Sequence, residues 1–207
     1  MANICDTDIE LRCWNGPAAM KVYQTILNYE SKINHDGLWE DDLAKLTGLN
    51  LKFSELNGKI IDFDINGKNV YLYAQEAWSP NLHFWQRLVD KEFNKEVQTI
   101  FYTAEEPGFE VYMTNNPNMV GSYVVDTKDG DVEYFEVDEK PEVIKLLCEL
   151  LIKNQLRYEK DVRELISISK ISPEFINEMG LAELAAKYHI ATVHKFKFYS
   201  MVDSLSD

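Results

Sequence analysis

Basic residues are scarce in this chain: Lys and Arg number 21 against 35 Asp and Glu, a net charge of −14. Such a surface repels phosphate backbones and anionic membranes at long range, which excludes direct nucleic-acid binding as the first reading. Cysteine is equally sparse. Cys5, Cys13 and Cys148 make no CxxC pair and an odd count, so no disulfide framework is expected and the chain reads as a reduced, cytoplasmic protein. The four histidines (His35, His83, His189, His194) form neither HxH nor HExxH, and no His or Cys pair has zinc-site spacing, so no metal is expected. GxGxxG, Walker A, GxSxG and the kinase motifs are all missing, which removes the commonest nucleotide and hydrolase chemistries and leaves no cofactor to expect. Long apolar runs are missing too. The longest, Leu146 to Ile152, is broken by Cys148 and Glu149 and is too short for a bilayer, and no basic stretch leads into an apolar run at the start, so neither membrane span nor signal peptide is expected. Repeats, low-complexity tracts and Gly/Ser-rich linkers are absent.

What is present is ample for a core: 207 residues, 45% hydrophobic and 12% aromatic. Residues 4 to 13 alternate, with Cys5, Thr7, Ile9, Leu11 and Cys13 on one side and Asp6, Asp8, Glu10 and Arg12 on the other, the period of a half-buried strand. Gly16-Pro17 opens a helix whose Ala19, Val22, Tyr23, Ile26, Leu27 and Ile33 share a stripe, and a short helix over 39–47 stops near Gly48. Asn66-Gly67 supplies the residues of a type I′ hairpin turn, which pairs Ile65 with Lys68, Phe63 with Val70 and Ile61 with Leu72 and puts the last two pairs on the core side. Ser79 caps a helix with Pro80 in first position and Leu82, Trp85, Leu88, Val89 and Phe93 facing inward; a strand follows over 97–104.

The order strand, helix, strand, strand, helix, strand is that of a split βαβ, ferredoxin-like α+β sheet with a small helix inserted before the hairpin. Glu106-Pro107-Gly108 fits a type II turn, and further strands are expected over 109–114, 121–126 and 131–137, the last two joined at Lys128-Asp129-Gly130. Pro141 starts an apolar helix to about 156, a second covers 159–169, and Ser172-Pro173 opens a short one ending near Gly180, with a further short helix hinted between Gly180 and His189. His194, Phe196 and Phe198 then alternate with Lys195, Lys197 and Tyr199 in a closing strand. Asp138 to Pro141 is the one seam, so two parts are expected: 1–137, the ferredoxin-like domain with extra strands, and 138–207, a helical extension packed on it.

Ala2-Asn3 with Cys5, Gly58 in Asn57-Gly58-Lys59-Ile60, Glu76-Ala77-Trp78-Ser79-Pro80, Glu105-Glu106-Pro107-Gly108 and Thr114-Asn115-Asn116-Pro117 together resemble the YubB-type proteins, found on plasmids, phages and integrated elements of bacteria. The resemblance spans residues 1–137. It implies the ferredoxin-like fold and a mobile-element setting, and it carries no catalytic residues over.

In that topology the sheet order is four, one, three, two, so the ends of strands three and four flank the start of strand one. Glu76 and Trp78 should then share a rim with Glu105, Glu106, Asn3 and Cys5, the outer strand ends about 10 Å apart. His83, one turn into the following helix, is the histidine that could join them. Such a rim could hold a small cationic ligand, a metal or a partner's Lys or Arg, although caps, turns and core packing account for Ser79, Pro80, Pro107, Gly108, Trp78 and Cys5 one by one. A second candidate is an acidic surface. Residues 105–142 hold 11 carboxylates and only Lys128 and Lys140, with Asp126, Asp129, Asp131, Glu133, Glu136, Asp138 and Glu139 at its centre.

The expectation is a non-enzymatic interaction protein of a mobile element or phage that binds a basic protein partner through this acidic surface, in one form by mimicking nucleic-acid charge. The alternative is a small ligand-binding or enzymatic domain using the strand-end carboxylates. A third reading, single-stranded nucleic acid stacked on Tyr71 and Tyr73, lacks a companion basic patch.

Overall fold

The alternation at the start of the chain becomes β1 (Ile4–Cys13), whose Cys5, Thr7, Ile9, Leu11 and Cys13 are all buried. The structure, a computed structural model, describes residues 3–52, 56–154 and 180–201. It is an α+β fold built mostly from antiparallel strands and divides into two units, Met1–Pro117 with Phe198–Asp207, and Asn118–Lys197. The Asp138–Pro141 seam lies inside the second unit. The reason is strand pairing: the strands just before that seam pair with one that follows the helices. Among the described residues, no helix is long and apolar enough to cross a membrane.

In the first unit, α1 (Gly16–Glu30) is capped by Asn15, β2 (Leu38–Trp39) leads into α2 (Glu40–Thr47), and β3 (Gly58–Asn66) and β4 (Asn69–Ala77) form the hairpin. Then come α3 (Leu82–Leu88), prolonged by a π-helical turn (Val89–Phe93), β5 (Val97–Glu106), a 3-10 turn (Pro107–Phe109) and β6 (Val111–Thr114). In the second unit β7 (Tyr123–Thr127), β8 (Val132–Phe135), α4 (Lys140–Asn154), α5 (Leu181–Lys187) and β9 (Ala191–Lys195) follow, and β10 (Lys197–Phe198) closes the described chain. The expected helices over 159–169 and from Ser172 lie outside the described residues.

The larger sheet runs β10-β6-β5-β1-β4-β3-β2. Its middle four strands keep the order four, one, three, two, with β1 antiparallel to both β4 and β5. The faces follow from period two. Val70, Leu72, Ala74 and Glu76 of β4 lie inward beside the odd residues of β1, and the helices supply Val22, Ile26, Leu82, Trp85 and Leu88 to the same core. Burying each large apolar side chain contributes about 1.5–3 kcal/mol, so this layer holds the unit together. On the other face β1 presents Asp6, Asp8 and Glu10 beside Tyr71, Tyr73 and Glu105, an acidic surface unsuited to phosphate, with the Tyr73 hydroxyl donating to Asp6.

Several local expectations are corrected. The hairpin loop is Gly67-Lys68, with Asn66 opposite Asn69 and Phe63 opposite Leu72; Gly67 alone has positive φ (61°), which suits a type II′ turn rather than type I′. A bulge between Ile60 and Asp62 buries Ile60 and turns Ile61 out to solvent. In α1, Tyr29 is buried where Leu27 was expected, and Leu27 faces water. The helix expected from Ser79 begins at Leu82, because Asn81 caps it by accepting from Phe84 N at 3.3 Å. Pro107 and Gly108 lie in the 3-10 turn rather than a type II turn, since the Glu106 carboxylate accepts from the N–H groups of Gly108 and Phe109 and Gly108 keeps an ordinary φ. The closing strand is two short pieces, β9 and β10.

In the second unit the sheet order is β8-β7-β9. Tyr123 and Val125 face Val143, Leu147 and Leu151 of α4 and Leu181 and Ala185 of α5, which gives this unit its own apolar core.

Candidate functional site

The strand-end motifs do meet at one end of the larger sheet, and the sheet itself then sorts their side chains. Trp78 N donates to the Asn3 carbonyl at 3.0 Å. A β-carbon placed on Gly108 would come within 2.6 Å of Asn3 Nδ2 and 2.9 Å of Glu106 Oε1, so Asn3, Glu106 and Gly108 are packed together. Trp78, at φ 72°, holds a left-handed backbone that is rare for a large residue, and its exposed ring meets exposed Phe109 at a centroid distance of 5.5 Å. Glu105 sits opposite Asp6 on the face away from the helices, whereas Glu76 and Glu106 point to the helix side. Glu106 is buried as the cap of the 3-10 turn. His83 is half-buried on α3 and, among the described residues, bonds none of these acids.

Glu76 departs furthest from a solvated rim. It is 1% exposed, and its partner is a residue that the sequence reading passed over, Glu40, also 1% exposed. Glu76 Oε2 accepts from the Thr7 hydroxyl at 2.6 Å and Oε1 from the Trp85 indole N–H at 2.9 Å, with the Asn81 backbone N–H adding a further donor. Glu40 Oε2 accepts from Asn57 N at 2.9 Å, Gly58 N at 3.1 Å and Asn81 Nδ2 at 2.7 Å. Glu40 Oε1 has no donor aimed at it, which is where a carboxylic proton belongs.

Burial, then the charge of Glu76 and the hydrogen bond to it, push the Glu40 carboxyl up to about 9. Burial also raises Glu76 above its ordinary value, and the Thr7, Trp85, Glu40 and Asn81 donors offset only part of that. Within the pair Glu40 is therefore the carboxyl that keeps its proton to higher pH, and it donates that proton to Glu76. No cation is hydrogen-bonded to either carboxyl among the described residues. Cys5, opposite Glu76, is fully buried, and its thiol is pushed up to about 12, first by burial, so it is packing and not a nucleophile.

This knot ties β1, α2, β3, β4 and α3 together, and Gly58 is its floor. A β-carbon there would lie 2.7 Å from Glu40 Oε1 and 2.8 Å from both Glu40 Cδ and Glu76 Cγ. Gly58→Ala is expected to cost about 1–3 kcal/mol, measured as a lower urea midpoint; an unchanged midpoint would contradict the packing described. Gly58 also borders an open depression of about 480 Å³ with Trp39, Asp42 and Asn57, but neither carboxyl of the pair lines it.

The second candidate surface lies on the β7–β8 hairpin. Thr127 N donates to the Asp131 carbonyl at 2.9 Å, and Gly130 at φ 86° closes the three-residue loop. Asp129, Asp131, Glu133, Glu136, Asp138 and Glu139 are all exposed, while Asp126 is half-buried. Among them stand three exposed apolar side chains, Val132 at 46%, Tyr134 at 57% and Val137 at 51%. The Glu136 N–H donates to Glu139 Oε2 at 2.8 Å and orders the turn into α4. No group of three or more His, Cys, Asp or Glu among the described residues could hold a metal ion.

No family model and no curated protein matches the chain. Among solved structures, a chain in the crystal structure of A. aeolicus tRNASec in complex with M. kandleri SerRS aligns at 16% identity with a TM-score of 0.36. The alignment covers 77% of this chain and 33% of that one, and a likeness this low carries no argument about function.

Proposed function

We propose that the chain is a non-enzymatic interaction protein that binds a basic protein partner through the acidic β7–β8 hairpin and the turn after it. The observation that carries this reading is the interleaving of exposed carboxylates with exposed Val132, Tyr134 and Val137 on one short stretch. Acid steers a basic partner, and the apolar groups give it something to bury against. Mimicry of nucleic-acid charge is one form of this binding, and a bacterial mobile element or phage is the setting that the YubB-type resemblance suggests. The alternative, chemistry at the strand-end acids, has less support: Glu76 and Glu106 are buried and occupied by internal donors.

Immobilised protein incubated with bacterial lysate should retain basic proteins at low salt and release them at high salt. Retention of none at low salt would overturn the reading.

A further inference from the structure

Glu40 and Glu76 meet in the core, but they hang from unequal scaffolds. Glu76 lies on β4, which is paired with β1 on one side and β3 on the other, so it leaves its place only if the sheet breaks. Glu40 opens α2, an eight-residue helix reached through the two-residue strand β2. A helix of about two turns has little stability of its own and stays folded because it is seated. Its seat is buried Leu38, Leu43 and Ala44 together with the three hydrogen bonds that Glu40 Oε2 accepts from Asn57 N, Gly58 N and Asn81 Nδ2.

Glycines bracket this segment. Gly37 at φ 75° precedes Leu38, and Gly48 at φ 67° ends α2, both in the left-handed region where the chain turns sharply at little cost. The flanks are tethered independently of Glu40, by Lys91 Nζ donating to the Gly48 carbonyl and by Lys59 Nζ pairing with Asp36 at 3.1 Å.

The Glu40 carboxyl is faced by Glu76 from β4, by the Gly58 and Asn57 N–H groups from the start of β3 and the residue before it, and by the Asn81 amide from the cap of α3. Its neighbours on α2 are engaged elsewhere: Asp41 pairs with Lys45 at 2.6 Å, and Asp42 accepts from Trp39 N at 3.1 Å and lies 3.3 Å from His35 Nε2. From β1, Thr7 bonds Glu76 and Cys5 lies opposite it. The charge acting on Glu40 is thus that of Glu76. Removing the proton between them leaves two buried carboxylates side by side, with no donor to Glu40 Oε1 among the described residues. With the sheet intact, the strain is relieved by Glu40 moving out.

We propose that β2 and α2 form a lid held shut by one proton: residues 38–47 stay seated while Glu40 donates to Glu76, and loss of that proton lets them swing out on Gly37 and Gly48 with the rest of the unit folded. Opening carries Glu40 into water and uncovers Glu76 beside the Asn57 and Gly58 N–H groups. The seated carboxyl holds its proton to about 9 and the released one titrates near its ordinary 4.5, so between those values opening releases a proton and grows more frequent by up to about tenfold per pH unit.

Hydrogen exchange of the intact chain from pH 6 to pH 8, corrected for the intrinsic rate at each pH, tests the lid. Amides of residues 44–47 should exchange through an opening that follows this slope and is about tenfold or more commoner than the opening that frees Ile9 and Leu11 of β1. Low urea should accelerate β1 and leave α2 nearly unchanged, because a local opening exposes little surface. Glu40→Gln should flatten the pH dependence in α2, whereas Asp41→Asn, one residue along the same helix, should keep it. A single opening frequency and a single urea dependence for α2 and β1 would place the proton's effect on the whole unit and overturn the lid. A flat α2 in the wild type, or a slope that survives Glu40→Gln, would overturn it as well.

Discussion

Raising the pH from about 4.5 to about 9 should steadily weaken this fold, and Glu40→Gln should remove most of that slope. The Glu40 carboxyl sits at about 9 in the folded chain against an ordinary 4.5. Between those values the folded state holds a proton that the unfolded chain has released, so stability falls as pH rises. The contribution is complete below about 4.5 and lost on passing 9, at a rate of at most about 1.4 kcal/mol per pH unit. The comparison with Glu40→Gln, and not the wild-type slope alone, assigns the effect to this pair. Glutamine is a close mimic of the protonated acid: its oxygen can accept from Asn57, Gly58 and Asn81, and its NH2 can donate to Glu76. Urea titrations across the window should therefore give a falling wild-type curve and a nearly flat variant that is the more stable of the two at high pH. A flat wild-type curve would contradict the proton on Glu40.

The same change at the other carboxyl should have the opposite sign. Glu76 faces the Thr7 hydroxyl, the Trp85 indole N–H and Glu40 itself, all of them donors. Glu76→Gln would set an NH2 against one of them and leave a buried donor unpaired, at a cost of about 1–3 kcal/mol or more. Thr7 and Trp85 anchor β1 and α3, so the loss should loosen the junction of two elements. Equilibrium unfolding at neutral pH should show this variant well below wild type while Glu40→Gln is level or above. If both variants fall equally, the assignment of proton donor and acceptor within the pair is wrong.

Much of this was legible from period two. The alternation of β1 gave its buried face without error, and the strand–helix–strand–strand–helix–strand order gave the middle of the larger sheet. The same alternation also contained a signal that went unused: Glu76 follows Val70, Leu72 and Ala74 at even spacing, which puts it inward. Glu40 was harder to find, because Glu40-Asp41-Asp42 looks like the acidic first turn that any surface helix favours. Only the tertiary position of Gly58 shows why one of those acids goes inside. The hairpin register slipped because Gly67 serves either turn type, and the residue beside it decides which. The grouping of β7 and β8 with later helices depends on pairing with β9, a contact between residues far apart in sequence. The acidic hairpin, by contrast, was visible in composition alone. The structure adds that most of its acids are outside and mixed with exposed apolar side chains.

The most direct test of the account is charge reversal on the hairpin against an equal reversal elsewhere. Asp131→Lys, Glu133→Lys and Glu136→Lys together change exposed acids of the hairpin, and Glu30→Lys, Asp62→Lys and Asp64→Lys change as many exposed acids of the other unit. Both variants alter net charge identically, so a general electrostatic effect would affect them alike. Retention of basic lysate proteins at low salt should be lost in the hairpin variant and largely kept in the control. Equal loss in both, or loss only in the control, would contradict the hairpin as the binding surface.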